Sequence, residues 1–205
     1  VGSDFPIQFR YNGTDCINYA LDPIEELDRD GWTLDDAKVF ARKIEENGVD
    51  SHHVSAGNLN CIPHGAQPAD FGEGCLVDLA KEIKKISSKP VTAVGRITTP
   101  QLAEKILREG MADLVALGRA LIADHEWLRK AQDGRHDEIV RCIGCMKCME
   151  RSVFQGKPLM CTVNPMAGRE LLLEKEGYIL GQDDYYKVKP AERIKNVLIV
   201  GGGTA

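Results

Sequence analysis

Short apolar runs alternating with longer amphipathic stretches constrain this chain more than any other feature, because strands that recur after helix-length intervals pair in parallel. The runs are residues 6–10 (PIQFR), Ser51–Ser55 (SHHVS), 91–94 (VTAV) and 114–117 (LVAL). In 35–47 (DDAKVFARKIEEN), Ala37, Phe40, Ala41 and Ile44 recur at helical spacing, with Thr33 placed to cap and Gly48 to stop. A polar loop over 58–74 leads to a second helix, 75–86, with Leu76, Leu79, Ala80 and Ile83 on one face and Pro90 beyond it. Thr99-Pro100 reads as the N-cap and first residue of a third helix, which Gly110 ends. The strands are mostly apolar, as expected for strands buried on both faces. Four such units predict an α/β fold, either a small open sheet or half of a (β/α)8 barrel, which in full takes about 250 residues. The chain has 205 residues, starts without Met in a strand-like run, and stops where a glycine loop has just opened. We therefore expect an internal piece of a longer protein, with the C-terminal half of a barrel at 1–135. A cysteine-bearing segment and connector at 136–190 and the truncated first strand of a Rossmann-like domain at 191–205 complete the expected order.

Charge and cysteine usage narrow the function. The net charge is −5 and no dense Lys/Arg run is present, so no electrostatic footprint for nucleic acid exists. No apolar stretch nears the roughly 18 residues of a membrane span, and the start lacks a signal-peptide layout, so a cytoplasmic protein is expected. Seven cysteines, an odd number without a secretory signal, argue for metal or cofactor ligation over disulfides.

Cys142, Cys145, Cys148 and Cys161 form C-x2-C-x2-C-x12-C. Three closely spaced thiolates and a distant fourth can enclose one inorganic core, which suits a 4Fe-4S cluster. Zinc is the rival, although four-cysteine zinc sites usually come as two separated C-x2-C knuckles. Cys16, Cys61 and Cys75 lack such spacing and read as buried or incidental thiols.

Two glycine-arginine pairs, Gly95-Arg96 and Gly118-Arg119, end successive strands. Barrel enzymes often bind phosphate on the loops after their last two strands, where glycine admits an anion to backbone N–H groups and arginine adds charge. Each pair alone is more often an ordinary turn with a surface arginine; together they favour a phosphorylated cofactor. Arg10 ends the first strand, where a cation can face a ligand at the barrel mouth. His52 and His53 are adjacent on one strand and so point to opposite faces; a structural role is expected for them. Residues 196–200 (NVLIV), followed by Gly201, Gly202 and Gly203, open a dinucleotide-binding turn.

The stretches FPIQFR, GVDSHHVSAG, PVTAVGRITTPQLAEKILREGMADLVALGRALIADHEW, RCIGCMKCM, CTVNP and NVLIVGGGTA resemble, in that order, the iron-sulfur branch of the old yellow enzyme family. That branch includes 2,4-dienoyl-CoA reductase, 2-enoate reductase, trimethylamine dehydrogenase and the bile-acid-inducible NADH:flavin oxidoreductases. The resemblance implies an oxidoreductase with an FMN-bearing barrel, a 4Fe-4S cluster beside it, and a C-terminal domain for FAD and NAD(P)H. It places Arg10 at the flavin N1/O2 edge, Gly95, Arg96, Gly118 and Arg119 at the FMN phosphate, and Cys142, Cys145, Cys148 and Cys161 on the cluster. The cysteine spacing is closer to the trimethylamine dehydrogenase and bile-acid enzymes than to dienoyl-CoA reductase. Two departures stand out: His125 follows Asp124 where the family has proline, and Ser51-His52 replaces an apolar pair. The substrate-binding and proton-donating residues of the family lie upstream of Val1, so no catalytic residue is assigned and the fragment alone is expected to be inactive.

The expected reaction is NAD(P)H-dependent reduction of an activated C=C bond in a small-molecule substrate. An amine dehydrogenase of trimethylamine dehydrogenase type, a non-enzymatic electron-transfer module and a zinc-stapled interaction protein are the alternatives. Homo-oligomerisation is left open.

Overall fold

The computed structural model describes residues 4–15, 31–58, 62–170 and the positions 192, 193, 196 and 198. The chain divides into two units, Val1–Ala167 and Gly168–Ala205, and every element named below lies in the first. The connector at 171–190, Cys16, Cys61, the expected strand at 196–200 and Gly201, Gly202 and Gly203 lie outside the described residues or almost entirely so.

Four strands, β1 (Gln8–Asn12), β2 (Ser51–Ser55), β3 (Val91–Ala93) and β4 (Leu114–Val115), form one sheet in sequence order. All three pairings are parallel, with Arg10 opposite His53, His53 opposite Thr92, and Thr92 opposite Leu114. Helices α1 (Leu34–Glu46), α3 (Val77–Lys84) and α4 (Pro100–Arg108) make the three crossovers, and the arrangement is half of a (β/α)8 barrel. A short helix, α2 (Ile62–Gly65), and a 3-10 turn at Ala69–Phe71 occupy the loop before α3. Two more short helices, α5 (Arg119–Ala123) and α6 (Trp127–Gln132), follow β4. Among the described residues no helix is long and apolar enough to cross a membrane.

The helix starts follow from local chemistry. Thr33 accepts from the Asp36 N–H while Asp36 accepts from the Thr33 N–H, a reciprocal capping box. Thr99 caps α4 and Pro100 fills its first turn, where a missing N–H costs nothing. Strand β1 sits two residues later than expected, because its partner Ser51–Ser55 pairs with Gln8–Asn12 and sets the register. The chain also remains helical past Trp127, through α6, where the sequence rhythm stops.

The expectation of strands apolar on both faces is corrected by the sheet. Its outer face is mostly apolar and packs on α1: Phe9, Tyr11 and Trp32 each meet the Phe40 ring edge to face at 5.3–5.7 Å, beside a core that includes Val54, Val91, Ala93, Ile83 and Ile106. Its inner face is polar. There Gln8 donates to Ser51 and Thr92, and Arg10 donates to Ser55 at 3.1 Å. QFRYN and SHHVS therefore alternate with period two, as in a sheet covered on one side only.

A buried chain of hydrogen bonds ties α1 to this sheet. Fully buried His52 contacts the Tyr11 hydroxyl at 3.1 Å through Nδ1 and Glu45 at 2.8 Å through Nε2. Glu45 also accepts from the Ser87 hydroxyl and from the hydroxyl and N–H of Ser88. Burial pushes the Glu45 carboxyl up, but these bonds outweigh it and hold the group below its ordinary value of 4.5. A depressed carboxyl stabilises the fold above its unfolded pKa, and that contribution is lost as pH falls through the lower folded value. Glu45→Gln is thus expected to cost about 1–3 kcal/mol at pH 7. It should also flatten the acid loss of stability below about 4.5, read as urea midpoints against pH.

Candidate functional site

Strands β3 and β4 both end in a glycine-arginine pair, and the structure turns these ends toward one another. Gly95 has φ +119°, and a Cβ there would lie 2.7 Å from Leu76 Cγ, so the turn admits only glycine. Arg96 follows in the left-handed region at φ +51°, an uncommon conformation for arginine that marks a constrained site. Gly118 precedes α5, and the space beyond its Cα is open.

Arg10, Gly95, Arg96, Gly118 and Arg119 all line one cleft of about 310 Å³ at the C-terminal ends of β3 and β4. The cleft is rich in cationic donors. Arg96 donates from Nε to the Gly72 carbonyl at 2.9 Å, while its Nη1 is buried with no partner among the described residues. Arg119 donates to the Gln67 carbonyl at 2.6 Å and lies 3.0 Å from Met146 Sδ. An unmatched buried guanidinium N–H is costly, and a bound anion would satisfy it, so these residues fit a phosphorylated ligand.

His53, set aside in the sequence reading, also lines the cleft, opposite Arg10 in the strand register. Its Nε2 is buried without a partner among the described residues. Burial, with Arg10 as a second cause, holds its imidazole below the ordinary value and favours the neutral form. Period two alone shows that one histidine of the pair faces inward. Which one depends on the pairing register with β1, which sequence does not contain. Gln67 was also missed, because it acts through its carbonyl.

Cys142, Cys145, Cys148 and Cys161 line a second, small void of about 20 Å³. The chain reaches it through tight backbone turns. Gly144 has φ +68° and Met146 φ +61°, followed by the single turn α7 (Lys147–Met149) and a π-helical turn at Glu150–Phe154. Burial raises the Cys145 thiol, but hydrogen bonds from the Thr162 hydroxyl and from the N–H groups of Lys147, Cys145 and Thr162 outweigh it and bring the thiol below its ordinary value. Burial keeps Cys148 above its ordinary value, although the Met149 N–H and the Arg119 charge pull it down. Four thiols around one void suit an inorganic core. Among the described residues, no three His, Cys, Asp or Glu side chains are close enough to hold a single metal ion.

Arg119 and Cys142 line both the cleft and the void, so the two share a wall. Cys75 lines neither.

Residues 10–138 match the family described as NADH:flavin oxidoreductase / NADH oxidase. The chain belongs to this family. Over 206 residues it is 44% identical to an NADH oxidase of Thermoanaerobacter brockii, covering 100% of this chain and 28% of that relative. It is 34% identical to a bilirubin reductase of Mediterraneibacter gnavus, over 93% of this chain and 28% of the relative. Among solved structures, 2-naphthoyl-CoA reductase in complex with 2-naphthoyl-CoA superposes with a TM-score of 0.72 at 29% identity, over 82% of this chain and 24% of that one. The chain thus spans roughly a quarter of the length of these relatives, and the family match covers the half barrel and all five cleft residues drawn from the glycine-arginine pairs and Arg10.

Proposed function

We propose that this chain carries part of the FMN site and the 4Fe-4S site of an NAD(P)H-dependent flavin oxidoreductase that reduces an activated C=C bond. The observation that carries this reading is the shared wall: an arginine-lined cleft and a four-thiol void meet at Arg119 and Cys142. In it, Arg96 and Arg119 would hold the FMN phosphate, Gly95 and Gly118 would let it approach the backbone, and Arg10 would supply a cation that favours the charged, reduced flavin. Cys142, Cys145, Cys148 and Cys161 hold the core. When bound, the flavin supplies hydride transfer and the cluster supplies one-electron transfer. The protein's part is to set their distance and electrostatics. FAD and NAD(P)H are assigned to the remainder of the full-length protein, where Gly201, Gly202 and Gly203 open the dinucleotide turn, in a cytoplasmic enzyme. Both the bilirubin and the naphthoyl-CoA relatives are named as reductases, which supports the reductive direction.

The test is anaerobic purification of the full-length protein, with iron, sulfide, zinc and flavin quantitation. NAD(P)H oxidation is then followed with enoates and enoyl-CoA esters, and reduction of an added electron acceptor is followed with amines. About four irons and four sulfides with FMN, and turnover with an enoate or enoyl-CoA, support the reading. Stoichiometric zinc without flavin, or turnover with amines alone, overturns it. Arg10→Met is expected to weaken FMN binding by about 10- to 100-fold, the loss of one charge-assisted hydrogen bond. It should also make the flavin potential more negative, because the reduced, charged form loses its cation; a fluorescence titration and a redox titration check the two effects.

A further inference from the structure

We infer that FMN binding and iron-sulfur assembly are coupled, through Arg96 against Gly144 and Arg119 against Met146. The inference rests on the cofactor reading above. Gly144 lies between Cys142 and Cys145, and a Cβ on it would come within 2.1 Å of Arg96 Nη1 and 2.8 Å of the Ala69 N. With φ at +68° as well, this position is shaped to receive the guanidinium of Arg96. Two residues on, Met146, itself left-handed at φ +61°, places its sulfur 3.0 Å from Arg119 Nη1. The two arginines of the cleft therefore rest on the cysteine loop on either side of Cys145.

Each arginine is also tied to the loop before α3, Arg96 to the Gly72 carbonyl and Arg119 to the Gln67 carbonyl. An anion in the cleft fixes the guanidinium groups, and fixed guanidinium groups hold the loop at Gly144 and Met146. A closed cysteine loop, in turn, leaves Arg96 Nη1 sealed and in need of an acceptor. Two ligands that order the same groups favour one another, and the factor is reciprocal, typically 5- to 150-fold.

The experiment uses the full-length protein and two titrations. Iron loss to a chelator is timed with FMN bound and after FMN removal. FMN affinity is then measured in cluster-loaded and cluster-stripped protein. The expected result is iron loss about tenfold faster without FMN and FMN binding about tenfold weaker without the cluster, two effects of the same direction. In Arg96→Met both factors should fall toward one, while Arg96→Lys retains part of them. Iron loss independent of FMN, or Arg96→Met protein with the coupling intact, overturns the inference while the cofactor reading stands. Protein that takes up neither iron nor FMN overturns both.

Discussion

Cys148→Ala in the full-length protein is expected to lower iron from about four per chain to below one and to remove the cluster's share of the visible absorption, leaving that of the flavin, since the core loses one of its four thiolates. Cys148 is half-buried in α7, between the tight turn at Met146 and the π-helical turn that follows. Its neighbours around the void are Cys142, Cys145 and Cys161, so an alanine leaves one side of the cage without a ligand. Cys75→Ala is the control, as that thiol lines neither cavity. If Cys148→Ala keeps four irons, or if Cys75→Ala loses them, the ligand set is wrong. FMN content measured on the same samples shows whether loss of the core also loosens the flavin.

Asp124→Ala is expected to cost about 3–5 kcal/mol of stability, the usual penalty for breaking a buried ion pair by removing one partner. Asp124 is fully buried and accepts from Lys130 Nζ at 2.7 Å, from the Val140 N–H at 2.9 Å and from the Glu126 N–H at 3.0 Å. Lys130 is itself buried and donates besides to the Glu138 carbonyl at 3.0 Å. Removing the carboxylate leaves an ammonium in the interior with one acceptor and two backbone donors without theirs. Chemical denaturation checks the magnitude; a loss under about 1 kcal/mol would place the pair among the many that merely break even. A double change, Asp124→Leu with Lys130→Met, should recover much of the loss because neither charge is then buried. Val140 stands two residues before Cys142, so the single variant should also release iron to a chelator faster than wild type.

Legibility of the fold in the sequence varied with the range of the interaction involved. The starts of α1 and α4 were readable because Thr33, Asp36, Thr99 and Pro100 act within one helical turn. The glycine-arginine pairs and the four cysteines were readable as candidates because their spacing is local, and the structure gathers each set around one cavity. What escaped depends on pairing across the chain. The two-residue offset of β1 and the inward aim of His53 both follow from the β1–β2 register. Nothing local marks Glu45 among the acids of α1; only the packing of α1 over β2 brings it to His52 and to the Ser87-Ser88 loop. Nothing local marks Gly144 either, because what it meets, Arg96, stands 48 positions earlier in the chain.

The polar inner face of the sheet has a consequence for how such a scaffold diversifies. Packing duty in β1 and β2 falls on Phe9, Tyr11, His52 and Val54, which face the helices. On the other side of the same strands Arg10 and His53 form a second group, which lines the cleft. Exchanging residues of the second group alters what the cleft accepts while the first group keeps the chain folded. A division of labour between the two sides of one strand separates the residues that hold the fold from those that face the cleft.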